Sequence, residues 1–188
     1  MAFEFFNTEI EGVIKIRPHL YYDDRGLYKK HYEKYVYAEN GIDCEFTESS
    51  DLYSCKGALR GLHYQAKHSQ AKLIHVIRGK LFDVAVDLRQ DSPTFGKYHT
   101  DLLSEEEDEV IFIPSGFAHG FISLTDNSIF SYQCSGIYTP EAERGIIWND
   151  PELAIPWPLE EYGIAKVIST EKDKNWPTFA EFRRNEEA

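Results

Sequence analysis

The amino-acid sequence predicts an all-β fold of the sandwich or jelly-roll type, on three observations. Residues 81–88 alternate strictly, with Phe82, Val84, Val86 and Leu88 on one face and Asp83 and Asp87 on the other. From 53 to 149 short apolar runs succeed one another, broken by turn signals roughly every 8–12 residues. Aromatic residues reach 14%, with 12 Tyr and 12 Phe. Such side chains suit a pleated, half-buried surface, or a pocket that stacks on a flat ligand.

Taken in order, Tyr28–Glu39 is expected to form a short helix, and Leu73–Ile77 a strand ended by a turn at Gly79. Leu81–Leu88 is the next strand. Ser104-Glu105-Glu106-Glu107 has the form of a capping box, but its β-rich flanks favour an acidic loop. Val110–Ile113 is a strand stopped by Pro114-Ser115-Gly116. Phe117–Leu124 and Ser128–Tyr138 follow, joined by a turn at 125–128. Thr178–Glu186 is expected to be a C-terminal helix.

The chain has 188 residues, enough for one domain with a proper core. Its formal net charge of -12 argues against a nucleic-acid partner. An acidic protein can still bind a small anion through a few placed Arg and Lys. The three cysteines are odd in number and form no C-x-x-C pair. Neither a disulfide framework nor a structural zinc site is expected. Met1–Val13 carries Glu4, Glu9 and Glu11 without an apolar run, and no stretch approaches the roughly 20 apolar residues that span a bilayer. A cytoplasmic protein with no membrane partner fits.

Two segments carry candidate chemistry, Gly57-Ala58-Leu59-Arg60-Gly61-Leu62-His63-Tyr64-Gln65 and Pro114-Ser115-Gly116-Phe117-Ala118-His119-Gly120-Phe121. Either histidine alone reads as a satisfied core residue. Two of them, each preceded by glycine-marked turns, point to a shared barrel interior. Both segments resemble the metal-binding motifs of the cupin superfamily, which implies a cupin-type jelly-roll (double-stranded β-helix) barrel with few short helices. Gln65 stands where that superfamily has its second histidine, and no Glu follows. His63 and His119 alone make a poor metal site, even with His68 nearby, so no metal is expected.

The remaining motifs sharpen the likeness. Leu59-Arg60-Gly61-Leu62-His63-Tyr64-Gln65, Asp83–Arg89, Ser92-Pro93-Thr94-Phe95-Gly96, Ile113–Phe121, Glu143-Arg144-Gly145-Ile146 and Trp148-Asn149-Asp150-Pro151 resemble, in unbroken order, the dTDP-4-dehydrorhamnose 3,5-epimerases. The resemblance implies one jelly-roll epimerase domain over residues 1–188, with N-terminal strands (about 1–50) and a C-terminal segment (about 160–188) packed on the barrel. It implies a homodimer, no cofactor, and a nucleotide-diphosphate 4-keto-6-deoxyhexose as substrate. The ketone acidifies the C–H bonds at C3 and C5, so inversion needs a base, an acid on the other face and a cation at the developing enolate oxygen. His63 matches the base, Asp173 the carboxylate that orients it, Lys72 the cation and Tyr132 the acid. On the residues alone Tyr132 is one more strand aromatic.

Arg25 and Arg60 match diphosphate contacts, for which a planar fork is suited. His119 and Glu143 match sugar or nucleotide contacts, Tyr138 an aromatic that stacks on the base, and Lys172 a further ligand contact. The departures lie at Lys30, where the family has Glu, and at Glu48 and Ser50, where it has Gln and Asn. An ionised Glu only accepts hydrogen bonds, so Glu48 could select the nucleobase, or could pair with Lys30. Rival functions are a single-centre epimerase on a dTDP-, CDP- or GDP-sugar, a metal-dependent cupin enzyme, and a non-catalytic sugar-binding protein.

Overall fold

The structure, a computed structural model, describes residues 2–186. The strands are β1 (Phe3–Asn7), β2 (Ile14–Pro18), β3 (Leu20–Asp23), β4 (Gly26–Lys29), β5 (Phe46–Ser54), β6 (Leu59–Gln65), β7 (Lys72–Arg78), β8 (Lys80–Asp87), β9 (Tyr98–Ser104), β10 (Val110–Ile113), β11 (Phe117–Ser123), β12 (Ser128–Ser135) and β13 (Glu143–Gly145). The helices are α1 (Lys34–Glu39), α2 (Glu171–Lys174) and α3 (Phe179–Glu186). The strands form a six-stranded sheet, β1-β2-β10-β7-β12-β5, and a five-stranded sheet, β13-β6-β11-β8-β9, with β3 and β4 as a separate hairpin. Every pairing between named strands is antiparallel. Two facing antiparallel sheets with consecutive strands crossing between them are the jelly roll the sequence predicts.

The sheets enclose a core that includes Ile74, Val76, Leu81, Ala85, Phe121 and Phe130. Each sheet is also covered on its outer face. Leu62, Val84 and Val86 of the five-stranded sheet, with Leu88 just beyond β8, pack under Ile146, Leu153, Ile155 and α3's Phe179 and Phe182. Ile14, Ile16, Leu73 and Phe112 of the other sheet pack under Tyr37 of α1 and Ile42. In β8 the apolar stripe therefore lies beneath the C-terminal layer. Its alternate residues, Leu81, Asp83 and Ala85, face inward. Asp83 and Asp87 are buried, not solvated.

Local chemistry explains where elements begin and end. The helix expected over 28–39 is confined to Lys34–Glu39, because Tyr28 belongs to the β3–β4 hairpin. The turn there is fixed by Asp23, whose carboxylate accepts from Arg25 N at 2.8 Å, and by Gly26 at φ +125°. α3 begins one residue after the expected Thr178, which acts as its cap. Glu181 N donates to Thr178 Oγ1 at 3.2 Å and Thr178 N to Glu181 Oε2 at 2.8 Å, a reciprocal capping box. Ser104 closes β9 and Glu105–Glu107 form a turn, the acidic loop expected. β12 ends at Ser135 rather than Tyr138, beyond which Gly136 turns at φ +68°.

Candidate active site

The site opens between the two sheets. Its first lobe is a cavity of about 310 Å³, and a second lobe of about 320 Å³ shares His63, Lys72, Tyr132 and Glu143 with it. Pleat alternation aims the chemistry inward. Lys72, Ile74 and Val76 share one face of β7, and Phe130, Tyr132 and Cys134 one face of β12. His63 comes from β6 and His119 from β11, directly paired in register. Two glycines set that approach. A Cβ on Gly61, at φ +127°, would stand 2.4 Å from Gly120 Cα, so these backbones meet at a distance no side chain allows.

His63 is held by a carboxylate far away in sequence. Its Nε2 donates to Asp173 Oδ1 at 2.5 Å. Asp173 Oδ2 accepts from Thr170 Oγ1 at 2.8 Å, and Trp176 Nε1 donates to Oδ1 at 3.3 Å. Burial works to raise the Asp173 carboxyl, but the bonds from His63 and Thr170 outweigh it and hold the group below its ordinary range. Asp173 is thus an ionised acceptor, which fixes the imidazole tautomer. Thr170 also caps α2, accepting from Asp173 N at 3.1 Å. Trp176 reaches Asp173 by lying over Gly145, where a Cβ would come within 2.6 Å of the indole.

His119 has a dyad of its own. Its Nε2 donates to Asp83 Oδ2 at 2.7 Å, and Asp83 Oδ1 is buried without a hydrogen-bond partner. Burial lowers the His119 imidazole and Asp83 partly offsets this. Lys72 is also driven down by burial, against the pull of Cys134, Asp83 and Glu143. The Tyr132 phenol is raised, first by burial and then by Cys134 and Glu48, so it keeps its proton. Among the described residues no group of three or more His, Cys, Asp or Glu is placed to hold a metal ion.

At the mouth, Glu143 Oε2 accepts from Tyr138 OH at 3.0 Å and from Lys172 Nζ. Arg60 lines the first lobe, and Glu48 and Ser50 the second. Glu48 Oε1 accepts from Tyr138 N at 3.2 Å. The Glu48–Lys30 pair weighed from sequence does not form, because Lys30 bonds Glu33 at 2.8 Å. Lys30 and Arg25 line neither lobe of this cleft. Arg25, 90% exposed, pairs with Asp23 at the tip of the β3–β4 hairpin. Asp83, Thr170 and Trp176 escaped the sequence reading. Thr170-x-x-Asp173 carried a capping signal, whereas nothing in the sequence marked Asp83 as inward-facing.

Fold and site together define an epimerase of the cupin-like jelly-roll class, with a carboxylate-held imidazole and a phenol lining one cleft. Comparison with known proteins names the family. The profile described as dTDP-4-dehydrorhamnose 3,5-epimerase matches residues 7–181, and the chain belongs to that family, an isomerase class. The Methanothermobacter thermautotrophicus dTDP-4-dehydrorhamnose 3,5-epimerase is 44% identical over 95% of this chain and 96% of its own. A Legionella pneumophila dTDP-6-deoxy-D-glucose-3,5-epimerase, solved with dTDP-4-keto-L-rhamnose, superposes with a TM-score of 0.89 at 41% identity, covering 94% of this chain and 92% of its own. A 3'-monoepimerase from Streptomyces bikiniensis, solved with dTDP-quinovose, gives 0.87 at 31% identity, covering 95% and 89%.

Proposed function

We propose that the chain inverts both C3 and C5 of dTDP-4-keto-6-deoxyglucose, giving dTDP-4-keto-L-rhamnose. One observation carries the assignment of roles: His63 and Tyr132 enter the cavity from opposite sheets, with Lys72 on the strand beside Tyr132. A sugar ring between them meets a base on one face and an acid on the other. Because Asp173 holds Nε2, Nδ1 is the nitrogen that takes the carbon proton. The electron pair moves into the ketone, the Lys72 ammonium stabilises the oxyanion, and the Tyr132 hydroxyl returns a proton to the opposite face. Arg60 and Lys172 supply charge for the diphosphate, and Tyr138 an aromatic face for the base.

The functional unit is a homodimer acting in the cytoplasm. Exposed Tyr21, Tyr22, Leu27 and Tyr28 on the hairpin that carries Arg25 support the dimer. They give an apolar surface to a second copy and place Arg25 for its diphosphate. Residues 1–188 act as a single epimerase domain.

The likeness to the 3'-monoepimerase, with Glu48 lining the second lobe, favours inversion at one centre as the second reading. Proton NMR in D₂O separates the two. Loss of both the C3 and C5 signals with dTDP-4-keto-6-deoxyglucose is expected. Exchange at one carbon alone selects the second reading, and exchange only with a CDP- or GDP-sugar overturns the dTDP assignment. No exchange with any of them refutes both.

A further inference from the structure

His63 meets a carboxylate at each ring nitrogen, and the roles above use only one. Nε2 is held by Asp173, while Nδ1 stands 3.8 Å from Glu143 Oε1. The other oxygen of Glu143 is held by Tyr138 OH at 3.0 Å and by Lys172. Loop, strand β13 and helix α2 thus converge where the two lobes join. Lys172 is half-exposed and Glu143 largely covered. A sheltered anion is neutralised by a cation that an entering ligand can reach. Burial works to raise the Glu143 carboxyl, but Lys172, His63 and Tyr138 hold it below its ordinary range, so it is ionised.

We propose that Glu143 is a second positioning residue for the His63 base, and that a bound diphosphate strengthens the base by drawing Lys172 away from Glu143. The inference rests on the function proposed above, which supplies the diphosphate and the role of His63. In the free protein the Lys172 ammonium on Oε2 offsets part of the Glu143 charge that Nδ1 meets. A diphosphate at the mouth competes for the ammonium through stronger, charge-assisted bonds. Once Lys172 turns to it, Glu143 is an uncompensated anion beside Nδ1, and an opposite charge within about 4–6 Å favours a protonated imidazole. The bond from Tyr138 keeps Glu143 in place while the lysine moves. The other charged and titratable groups around His63 are Asp173 of α2, His119 of β11 with Asp83 of β8, Lys72 of β7, Arg60 of β6 and Tyr132 of β12. Arg60 shares the diphosphate with Lys172, but none of these groups bonds Glu143, so only Lys172 uncovers its charge. The base therefore gains strength only when the substrate is seated.

The test follows the His63 ring protons by NMR through a pH titration, in the protein alone and saturated with dTDP. This ligand carries the diphosphate without a reacting sugar, so the result does not depend on turnover. In the native protein dTDP is expected to raise the titration midpoint by about one pH unit, tenfold in proton affinity. Glu143→Gln, of the same shape without the charge, should lose most of that rise, and Glu143→Asp should recover part of it. In Lys172→Gln the free protein should already titrate near the dTDP-bound midpoint. An equal rise in the native protein and Glu143→Gln would overturn the proposal, as would no rise in the native protein. Failure of every sugar nucleotide to exchange in D₂O would strike the proposed function instead and leave the titration result standing.

Discussion

Asp173 and His63, 110 positions apart in sequence, meet at 2.5 Å because the four-residue helix α2 docks beside β6. The carboxylate is fixed in turn by Thr170 and Trp176. Asp173→Asn keeps the shape but removes the charge that orients and stabilises the imidazolium. Steady-state kinetics should show kcat lower by on the order of 10³-fold, with KM little changed. A loss of only a few-fold would make the pair a structural contact.

His63→Asn and Tyr132→Phe should divide the two proton transfers. In D₂O, His63→Asn is expected to abolish exchange at the carbons next to the ketone, a loss of at least about 10²–10⁴-fold. Tyr132→Phe should retain some abstraction while losing inversion, so that label entering without a change of configuration is its signature. Equal loss of both would make Tyr132 a positioning residue.

Asp83 is buried and faces the barrel interior, where it holds His119 Nε2 at 2.7 Å. Asp83→Leu would leave His119 Nε2 buried without its acceptor, at about 1–3 kcal/mol. Chemical denaturation should show that loss together with a fall in substrate affinity. Asp83→Asn, which keeps an acceptor oxygen, should cost less in stability.

Gly61→Ala tests the close approach of β6 and β11. Its Cβ would collide with backbone rather than with a movable side chain, at a φ that alanine resists. The variant is expected to lose about 2 kcal/mol or more of stability, by overpacking and backbone strain together. Activity should fall further than stability explains, since the residue sets the distance between His63 and His119.

His75 of β7 stacks on His31 at 3.8 Å between ring centroids. Burial, then the neighbouring His31, pushes the His75 imidazole down to about 4 from 6.5, against the pull of Asp51. Burial and Lys29 lower His31 as well, with Asp108 opposing. A depressed imidazole stabilises the folded chain fully above pH 6.5, and that contribution is lost as pH falls toward 4. Melting temperatures should drop over this window. His75→Phe, which preserves the stack, should flatten the dependence.

The jelly roll was legible because its local signals agree. Strict alternation in β8, the Pro114-Ser115-Gly116 stop after β10 and the turn before β12 all encode antiparallel strands without reference to partners. The two glycine-marked histidine strands likewise pointed to one interior, since pleat alternation repeats in every strand. What β8 faces was not legible. Its alternation specifies two faces but not which is inside, and the layer built by Leu153, Ile155, Phe179 and Phe182 decides that, turning Asp83 into a site residue. The short α2 has too few residues for a periodic signal, so only docking brings Asp173 and Lys172 to the cleft. The pairing of Glu48 with the Tyr138 backbone and of Lys30 with Glu33 was equally undecided in sequence. A charge in sequence has many candidate partners, and only the folded backbone brings one of them within hydrogen-bonding reach. The sequence by itself marked the strands β7, β8, β10, β11 and β12, because period and turn geometry are local, whereas the hairpin strand at Tyr28 read as helix and the roles of the site residues came only through the family resemblance. Tertiary packing decided which faces point inward and which carboxylate holds which imidazole, because those depend on surfaces that meet only once the sheets close.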